Sequence, residues 1–286
     1  MKISELESFR CHLGEGPVWH HQKDVLYWVD SLAPRIFRYS SENQSVENWE
    51  LPGKYIGSLA PRHQGGLILA LDQGFYFFDT ESNQLELIDE PLAGRNHLRL
   101  NDGKVDRFGC FVAGALNIDY LQDDNCPMFH LSTDLQVTEI LDGFSCFNGP
   151  CFNANGDTLY VTGRKSGVIE AFDYSDTGMP KNGRSLIANI NPDGATVDIE
   201  GFIWSAQWDE GCLLRISPQG TIDYKLEIPG QIVSSVMFGG QDLRTIYVTT
   251  IGETVHGATP GGVHCGKLLI IEDTGFQGQP ELEYRG

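Results

Sequence analysis

The run LYWVD at Leu26–Asp30 indicates the fold, because similar runs return five more times along the chain. Those runs are LILALD at Leu67–Asp72, CFVAGA at Cys110–Ala115, LYVTG at Leu159–Gly163, IWSAQ at Ile203–Gln207 and IYVTT at Ile246–Thr250. They recur roughly every 41–49 residues, a period typical of propeller blades. Because the repeat extends over nearly the whole chain, we expect one closed domain over residues 1–286.

Each repeat has the same order of elements. An apolar–polar stretch ending in a turn comes first, the quoted run second, and one or two short runs rich in β-branched or aromatic residues follow. Gly, Asp, Asn and Pro bound these runs, and no long segment has helical periodicity. About four antiparallel strands in each of about six units predict an all-β fold, a six-bladed β-propeller. A pair of β-sandwiches is the alternative, and it leaves the pattern of polar residues unexplained.

Four polar residues stand at one position relative to four of these runs. Glu15, Asn101, Asn148 and Asp193 each lie about ten residues ahead of a run. In a closed ring, equal phase means equal radius and one face, so these residues are expected to meet. We expect them in loops before the strands, where neighbouring glycines allow sharp turns. Because Asn or Asp before Gly is also a common turn former, the prediction depends on the shared phase.

The residue types indicate a metal site. Two carboxylates and one or two amide oxygens suit Ca²⁺, Mg²⁺ or Mn²⁺, with Zn²⁺ and Fe²⁺ as further candidates. With about three protein ligands, one divalent ion keeps open positions for water and substrate, as a Lewis-acid catalyst requires. The matching positions of the other two repeats, near Ser58 and Ser234, hold small residues and predict room for a substrate.

Composition excludes several other functions. The net charge of −19, from 39 acidic and 20 basic residues, disfavours binding to nucleic acid or to anionic membrane surfaces. No run of 18 apolar residues and no signal-peptide core occurs, and seven cysteines without a C-x-x-C pair predict free thiols, so a cytoplasmic location is expected. The sequence has no nucleophile elbow, P-loop, G-x-G-x-x-G or H-E-x-x-H motif.

Two other features receive predictions. His20 and His21 lie in a blade turn and are expected to be solvated. The Gly-rich segment ETVHGATPGGVHCG, residues 253–266, is expected to form a surface loop, with a part of the channel rim as the alternative.

Several motifs resemble the regucalcin/gluconolactonase family, also called the senescence marker protein family. They are LGEGPVW (13–19), RLNDGKVDRFG (99–109), NGP with a following strand (148–161), PDGATVDIEGFIWSA (192–206) and FGGQDLRTIYVTT (238–250). The resemblance covers essentially the whole chain and implies a six-bladed propeller.

The resemblance also implies roles for individual residues. Glu15, Asn148 and Asp193 match the family's metal ligands, and Arg99 and Asn101 match its substrate-contacting arginine and asparagine. Counting on without gaps gives Asp119 as a further substrate contact, although its surroundings differ. The chain departs from the family at Cys110, where many members have arginine, and at Thr162-Gly163, where Asp-Ser is common; these changes affect the expected substrate more than the metal.

Together these observations predict a metal-dependent sugar lactonase that converts an aldonolactone to the aldonic acid. A divalent metal would polarise the lactone carbonyl, and Asp193 would act as general base. The substrate partner is therefore a small sugar lactone, and protein partners are not predicted. A metal-dependent esterase or phosphotriesterase is one alternative. A non-enzymatic calcium-binding regulatory protein is another, although no EF-hand pattern is present.

Overall fold

The computed structural model describes residues 1–6, 9–119, 125–163, 167–228 and 231–286, in which all regular elements are β-strands. Within these residues, 24 strands form six four-stranded antiparallel sheets. Blades 1 to 3 consist of β2 Gly14–His20, β3 Val25–Asp30, β4 Arg35–Ser40 and β5 Ser45–Glu50; β6 Ile56–Pro61, β7 Leu67–Leu71, β8 Gly74–Phe78 and β9 Leu85–Asp89; and β10 Leu98–Val105, β11 Phe111–Asn117, β12 Cys126–Leu131 and β13 Val137–Phe144. Blades 4 to 6 consist of β14 Phe147–Phe152, β15 Thr158–Gly163, β16 Val168–Asp173 and β17 Lys181–Ala188; β18 Pro192–Val197, β19 Ile203–Gln207, β20 Cys212–Ile216 and β21 Ile222–Glu227; and β22 Val233–Gly239, β23 Thr245–Thr250, β24 Leu268–Glu272 and β1 Lys2–Glu5.

The ring closes through the last blade. The N-terminal strand β1 pairs with β24, with Lys2 opposite Glu272 and Ile3 opposite Ile271. Each innermost strand also contacts the innermost strands of the neighbouring blades, from β2 to β6 and so on round to β22 and β2. The prediction of an all-β, six-bladed β-propeller is therefore confirmed. Among the residues described, no helix is long and apolar enough to span a membrane.

Aromatic side chains fill the spaces between blades. Phe75 of blade 2 meets Phe111 of blade 3 edge-on at 6.1 Å between ring centroids, and Trp204 of blade 5 meets Phe238 of blade 6 at 5.5 Å. These rings are buried, and edge-on pairs contribute about 0.5–1.5 kcal/mol each beyond the area that they bury. The outermost strands, such as β5 and β21, are largely exposed, so the core lies between the inner three strands of adjacent blades.

The segment 277–286 crosses the end of the ring at which the innermost strands finish. It contacts all six blades through the pairs Glu283–His20, Tyr284–Pro61, Pro280–Arg107, Gln279–Phe152, Gln277–Ile199 and Gly278–Leu243. The prediction that His20 is solvated is wrong, because its ring is 4% exposed and its Nε2 lies 3.0 Å from the Glu283 carboxylate.

Candidate active site and metal centre

The four residues of equal phase lie in the innermost strands of four blades. Glu15 is in β2, Asn101 in β10, Asn148 in β14 and Asp193 in β18. They were expected in loops ahead of the strands, and this detail is wrong, because each belongs to a separate innermost strand that pairs antiparallel with the apolar run, as Glu15 pairs with Val29 and Asn148 with Thr162. Their shared phase therefore places them at corresponding heights on the wall of the ring.

A β-bulge interrupts each of these strands where the polar residue stands. The register shifts lie between Glu15 and Val18, Leu100 and Gly103, Asn148 and Cys151, and Pro192 and Ala195. A bulge adds an unpaired residue and re-aims nearby side chains, here at the crowded centre of the ring. Gly16 and Gly149 carry φ values of +52° and +47°, which side chains rarely adopt, so the G-E-G-P and N-G-P motifs are bulge sequences.

A line of hydrogen bonds connects the predicted substrate residues to the predicted metal ligand Asn148. Arg99 Nη1 donates to Asn101 Oδ1 at 2.8 Å, and Asn101 Nδ2 donates to Asn148 Oδ1 at 2.6 Å. The Arg99 guanidinium also lies 5.2 Å from the ring centre of Tyr55, a contact that no sequence pattern indicated. These bonds fix the orientation of both amides, because each has a defined donor and acceptor.

Three carboxylates lie close enough to influence one another. Asp102 and Asp193 are buried, whereas Glu15 keeps part of its surface open to the channel. Burial raises the pKa of Glu15 well above its usual value, and the negative charges of Asp193 and Asp102 raise it further. Burial also raises the pKa of Asp102. The charges of the two aspartates thus make ionisation of Glu15 harder.

Asp102 is a supporting residue that the sequence did not single out. Its Oδ2 accepts a hydrogen bond from the backbone N–H of Gly149 at 2.7 Å, and therefore holds the bulge that positions Asn148. The signal that could have revealed it was its place directly after Asn101 in the motif RLNDG. Asn101 and Asp102 both lie within the β10 bulge, so both are candidates for the site.

Hydroxyl groups brace the backbone behind the site. Ser58 Oγ donates to the carbonyl of Asn101 at 2.9 Å, and Ser234 Oγ donates to the carbonyl of Gly14 at 2.5 Å. Thr162, one of the departures from the family, donates to the carbonyl of Asp193 at 3.0 Å. Blades 2 and 6, which contribute no acidic or amide residue to the site, therefore support the neighbouring strands that carry Asn101 and Glu15.

The charge balance fits a divalent cation. Glu15, Asp102 and Asp193 bring three carboxylates, and Arg99 brings one guanidinium beside them. Deeper in the channel, Lys104 is paired with Glu281 at 3.2 Å. The two positive charges of a divalent ion bound at the mouth would offset the repulsion between carboxylates that contributes to the raised pKa of Glu15. The oxygen donors of Glu15, Asn148 and Asp193 match those that Ca²⁺, Mg²⁺ and Mn²⁺ prefer.

Asp119 lies apart from this cluster. It is exposed on the turn that follows β11, and its backbone N–H donates to Asn117 Oδ1 at 3.0 Å. Among the described residues, no hydrogen bond or ion pair joins it to Arg99 or Asn101. Residues 120–124, which directly follow Asp119, lie outside the described residues.

The Gly-rich segment after β23 belongs to the rim of the channel. Val255 and Ala258 pack in one cluster with Leu13, Trp208 and Ile251. Leu13 directly precedes β2 and Trp208 directly follows β19, so the segment covers the end of the ring where Glu15 and Asp193 lie. The surface-loop prediction is therefore too simple, and the rim alternative describes the segment better.

Comparisons with known proteins place this geometry in context. The model of the family described as SMP-30/Gluconolactonase/LRE-like region matches residues 13–252. A 6-deoxy-6-sulfogluconolactonase from Pseudomonas putida is 34% identical over 247 residues, which cover 84% of each chain. A pentonolactonase from Haloferax volcanii is 30% identical over an alignment of 295 positions, which covers 99% of this chain and 98% of the pentonolactonase. The solved structure of a calcium-binding protein, regucalcin, from Agrobacterium tumefaciens has a TM-score of 0.89 at 24% identity, covering 99% of this chain and 97% of its own, and shares the fold.

Proposed function

Since this chain belongs to the SMP-30/gluconolactonase/LRE-like family, we propose that it is a carboxylic-ester hydrolase that opens sugar lactones. Water adds across the ring ester, so an aldonolactone becomes the aldonic acid. The observation that supports this proposal is the meeting of three carboxylates, two amides and a buried arginine at one mouth of the ring. The names of the two relatives favour a lactone over other esters.

Glu15, Asn148 and Asp193 would hold a divalent cation at this mouth. When bound, the cation would supply positive charge that polarises the lactone carbonyl and offsets the negative charge that develops on its oxygen. Asn101 contributes by fixing the amide of Asn148 through its 2.6 Å hydrogen bond. Asp102 contributes by holding the Gly149 bulge.

Asp193 would act as the general base. Its carboxylate takes a proton from the attacking water, whose oxygen forms a bond with the carbonyl carbon. The bond between that carbon and the ring oxygen then breaks, and the leaving oxygen receives the proton. Asp193 suits this role because it is buried beside Glu15 and its backbone is fixed by Thr162.

Arg99 and Asn101 would hold the hydroxyl groups of the sugar. Arg99 Nη1 is engaged by the carbonyl of Leu100 and by Asn101, but a guanidinium has five N–H donors, so others can reach a substrate. Fixed donors on one wall of the channel determine which face of the carbonyl meets the water. For Asp119 we propose a contact at the rim, because it is exposed on the turn after β11.

The test is a substrate panel. Acid release is followed for several aldonolactones, a simple ester and a phosphotriester, first in chelator and then with each of Ca²⁺, Mg²⁺, Mn²⁺ and Zn²⁺. We expect turnover of at least one aldonolactone, its loss in chelator and its recovery with a divalent ion. Turnover of the phosphotriester alone would contradict the proposal and favour an esterase or phosphotriesterase. Ion binding without turnover would favour a regulatory calcium-binding protein.

A further inference from the structure

A second group of potential metal ligands lies outside the channel site. The side chains of Asp106, Cys110 and His130 are buried, and one donor atom from each lies within 4.8 Å of the other two. Asp106 directly follows β10, Cys110 directly precedes β11, and His130 is in β12. Asp106 stands five positions after Asn101, which is roughly 16 Å along the strand, so the group lies at the opposite end of blade 3.

Blade 5 has only one potential metal ligand at the three corresponding positions. The register makes Asp198, Phe202 and Arg215 the counterparts of the three residues, since Trp204 pairs with Arg215 as Val112 pairs with His130. There Arg215 Nε donates to Asp198 Oδ2 at 2.7 Å, and its guanidinium covers the Phe202 ring at 3.6 Å. The carboxylate of blade 5 is therefore neutralised directly.

Blade 3 keeps the carboxylate and changes both of its neighbours. Asp106 Oδ1 accepts the backbone N–H groups of Phe108 and Cys110 at 2.9 Å each, as Asp198 accepts those of Glu200 and Phe202. In place of phenylalanine and arginine stand a cysteine and a histidine. His130 Nε2 lies 3.5 Å from Asp106 Oδ2, and this buried nitrogen forms no hydrogen bond with a described residue.

The chemistry of these three donors favours zinc. Thiolate, imidazole and carboxylate are the ligands that Zn²⁺ takes in proteins, and donors around a tetrahedral zinc lie about 3.3–3.8 Å apart. A second layer is present as well, because the Tyr174 hydroxyl donates to Asp106 Oδ2 at 2.9 Å and fixes the carboxylate. A Cβ at Gly178 would lie 2.6 Å from His130 Nε2 and 2.7 Å from both Cδ2 and Cε1, so only a glycine here lets the backbone pack this closely against the imidazole ring.

We infer that Asp106, Cys110 and His130 form a Zn²⁺ site that is separate from the channel. Binding deprotonates the Cys110 thiol, so the sulfur bonds the zinc and one proton leaves; an imidazolium at His130 would release a second. The zinc would link the β10–β11 turn to β12, in the place where blade 5 uses an arginine. The site is independent of the proposed lactonase activity.

The competing state is a metal-free ion pair. Burial lowers the pKa of His130, but the neighbouring Asp106 and Cys110 together raise it to about 9, so the histidine can stay charged beside the carboxylate when no metal is bound. The two states differ in what happens at Cys110. In the metal-bound state the Cys110 sulfur would bond the metal, and in the ion pair it would not.

The experiment uses Co²⁺ as a spectroscopic substitute for Zn²⁺ in the reduced, chelator-treated protein. Glu15→Gln serves as the background, because it weakens the channel site. We expect one equivalent of Co²⁺ with a thiolate-to-cobalt charge-transfer band in the near ultraviolet, displaced by one equivalent of Zn²⁺. Cys110→Ser should remove the band, whereas the control Cys212→Ser, at another buried free cysteine, should retain it.

His130→Arg keeps the test decisive if Cys110→Ser does not fold. This change reproduces the aspartate–arginine pair of blade 5, so the variant should fold, as circular dichroism would verify, and should lose the cobalt band. Absence of the band in the background protein at millimolar Co²⁺, or its persistence in Cys110→Ser or His130→Arg, would overturn the inference and leave an ion pair.

Discussion

Glu15 gives the most direct test of the charge balance at the channel mouth. Its pKa is raised by burial and by the charges of Asp193 and Asp102, so Glu15→Gln removes a repulsive charge while keeping the side-chain shape. In chelator at pH 7.5 we expect the variant to have a higher melting temperature than the wild type, by about 2–4 °C for each kcal/mol of repulsion relieved. Added Ca²⁺ should raise the melting temperature of the wild type but not of the variant.

Differential scanning calorimetry with and without Ca²⁺ provides the measurement. Glu42→Gln, at an exposed turn position, is the matched control and should behave as the wild type. An unchanged melting temperature of Glu15→Gln in chelator, together with a retained calcium response, would contradict the placement of Glu15 among the metal ligands.

The same carboxyl groups predict an unusual pH dependence of stability. The pKa values of Glu15 and Asp102 are raised in the folded protein, so their protons are held more tightly there than in the unfolded chain. Their contribution to stability is therefore complete below their unfolded pKa values, about 4, and is lost as the pH rises through the folded values. In chelator, the difference in melting temperature between the wild type and Glu15→Gln should shrink as the pH falls from 8 to 5.

Thermal unfolding at several pH values in chelator measures this difference. With saturating Ca²⁺ the wild type should lose stability as the pH falls, because metal ligands must be deprotonated. A difference that stays constant over this pH range would show that Glu15 keeps an ordinary pKa.

The bulge of β14 links backbone geometry to the site. Gly149 has φ of +47°, and a Cβ there would lie 2.7 Å from the Asp193 carbonyl oxygen and 2.9 Å from the Ala195 nitrogen. We expect Gly149→Ala to push β14 away from β18 and to weaken both metal binding and turnover. Gly143 is the matched control, because it has φ of +91° with open space around it.

Both substitutions carry the backbone strain of a left-handed residue, about 1–2 kcal/mol, but Gly149→Ala adds the steric clash. Calcium affinity by calorimetry and unfolding in urea separate the two effects. Equal losses in both variants, with unchanged calcium affinity, would contradict the role of this bulge.

The sequence predicted the features that depend on local patterns and missed those that depend on packing between distant segments. The six apolar runs from Leu26 to Thr250 predicted the blades, because strand periodicity and spacing are local properties. The phase of Glu15, Asn148 and Asp193 predicted their meeting, because a ring converts phase into position. The bulges were missed, since a Gly-containing motif is typical of both a loop and a bulge. Tyr55 beside Arg99 and His20 beside Glu283 were missed because these contacts depend on how blades and the C-terminal segment pack.

The C-terminal segment 277–286 ties the ring together, since it contacts every blade. Tyr284 is fully buried, its backbone N–H donates to the Pro61 carbonyl at 2.9 Å, and its hydroxyl donates to the Ser132 carbonyl at 2.7 Å. We expect Tyr284→Ala to lower the free energy of unfolding by about 3–5 kcal/mol, as for other large buried aromatic residues. Tyr284→Phe, which loses the hydroxyl alone, should cost about 0.5–1.5 kcal/mol.

Chemical denaturation measures these losses, with the more exposed Tyr224→Ala as the control, for which a smaller loss is expected. If Tyr284→Ala were no less stable than the control, the C-terminal segment would not contribute to the stability of the propeller.

We propose that the channel site hydrolyses a lactone with Asp193 as base, and a comparison of variants at this position tests the proposal. The kcat for the best aldonolactone is measured for Asp193→Asn, for the exposed control Asp142→Asn and for the wild type, all at saturating divalent ion with binding of the ion measured in parallel. We expect a loss in kcat of about 10²–10⁴-fold for Asp193→Asn, the usual contribution of general base catalysis, and wild-type kcat for Asp142→Asn. Full metal-dependent turnover by Asp193→Asn would contradict the proposal.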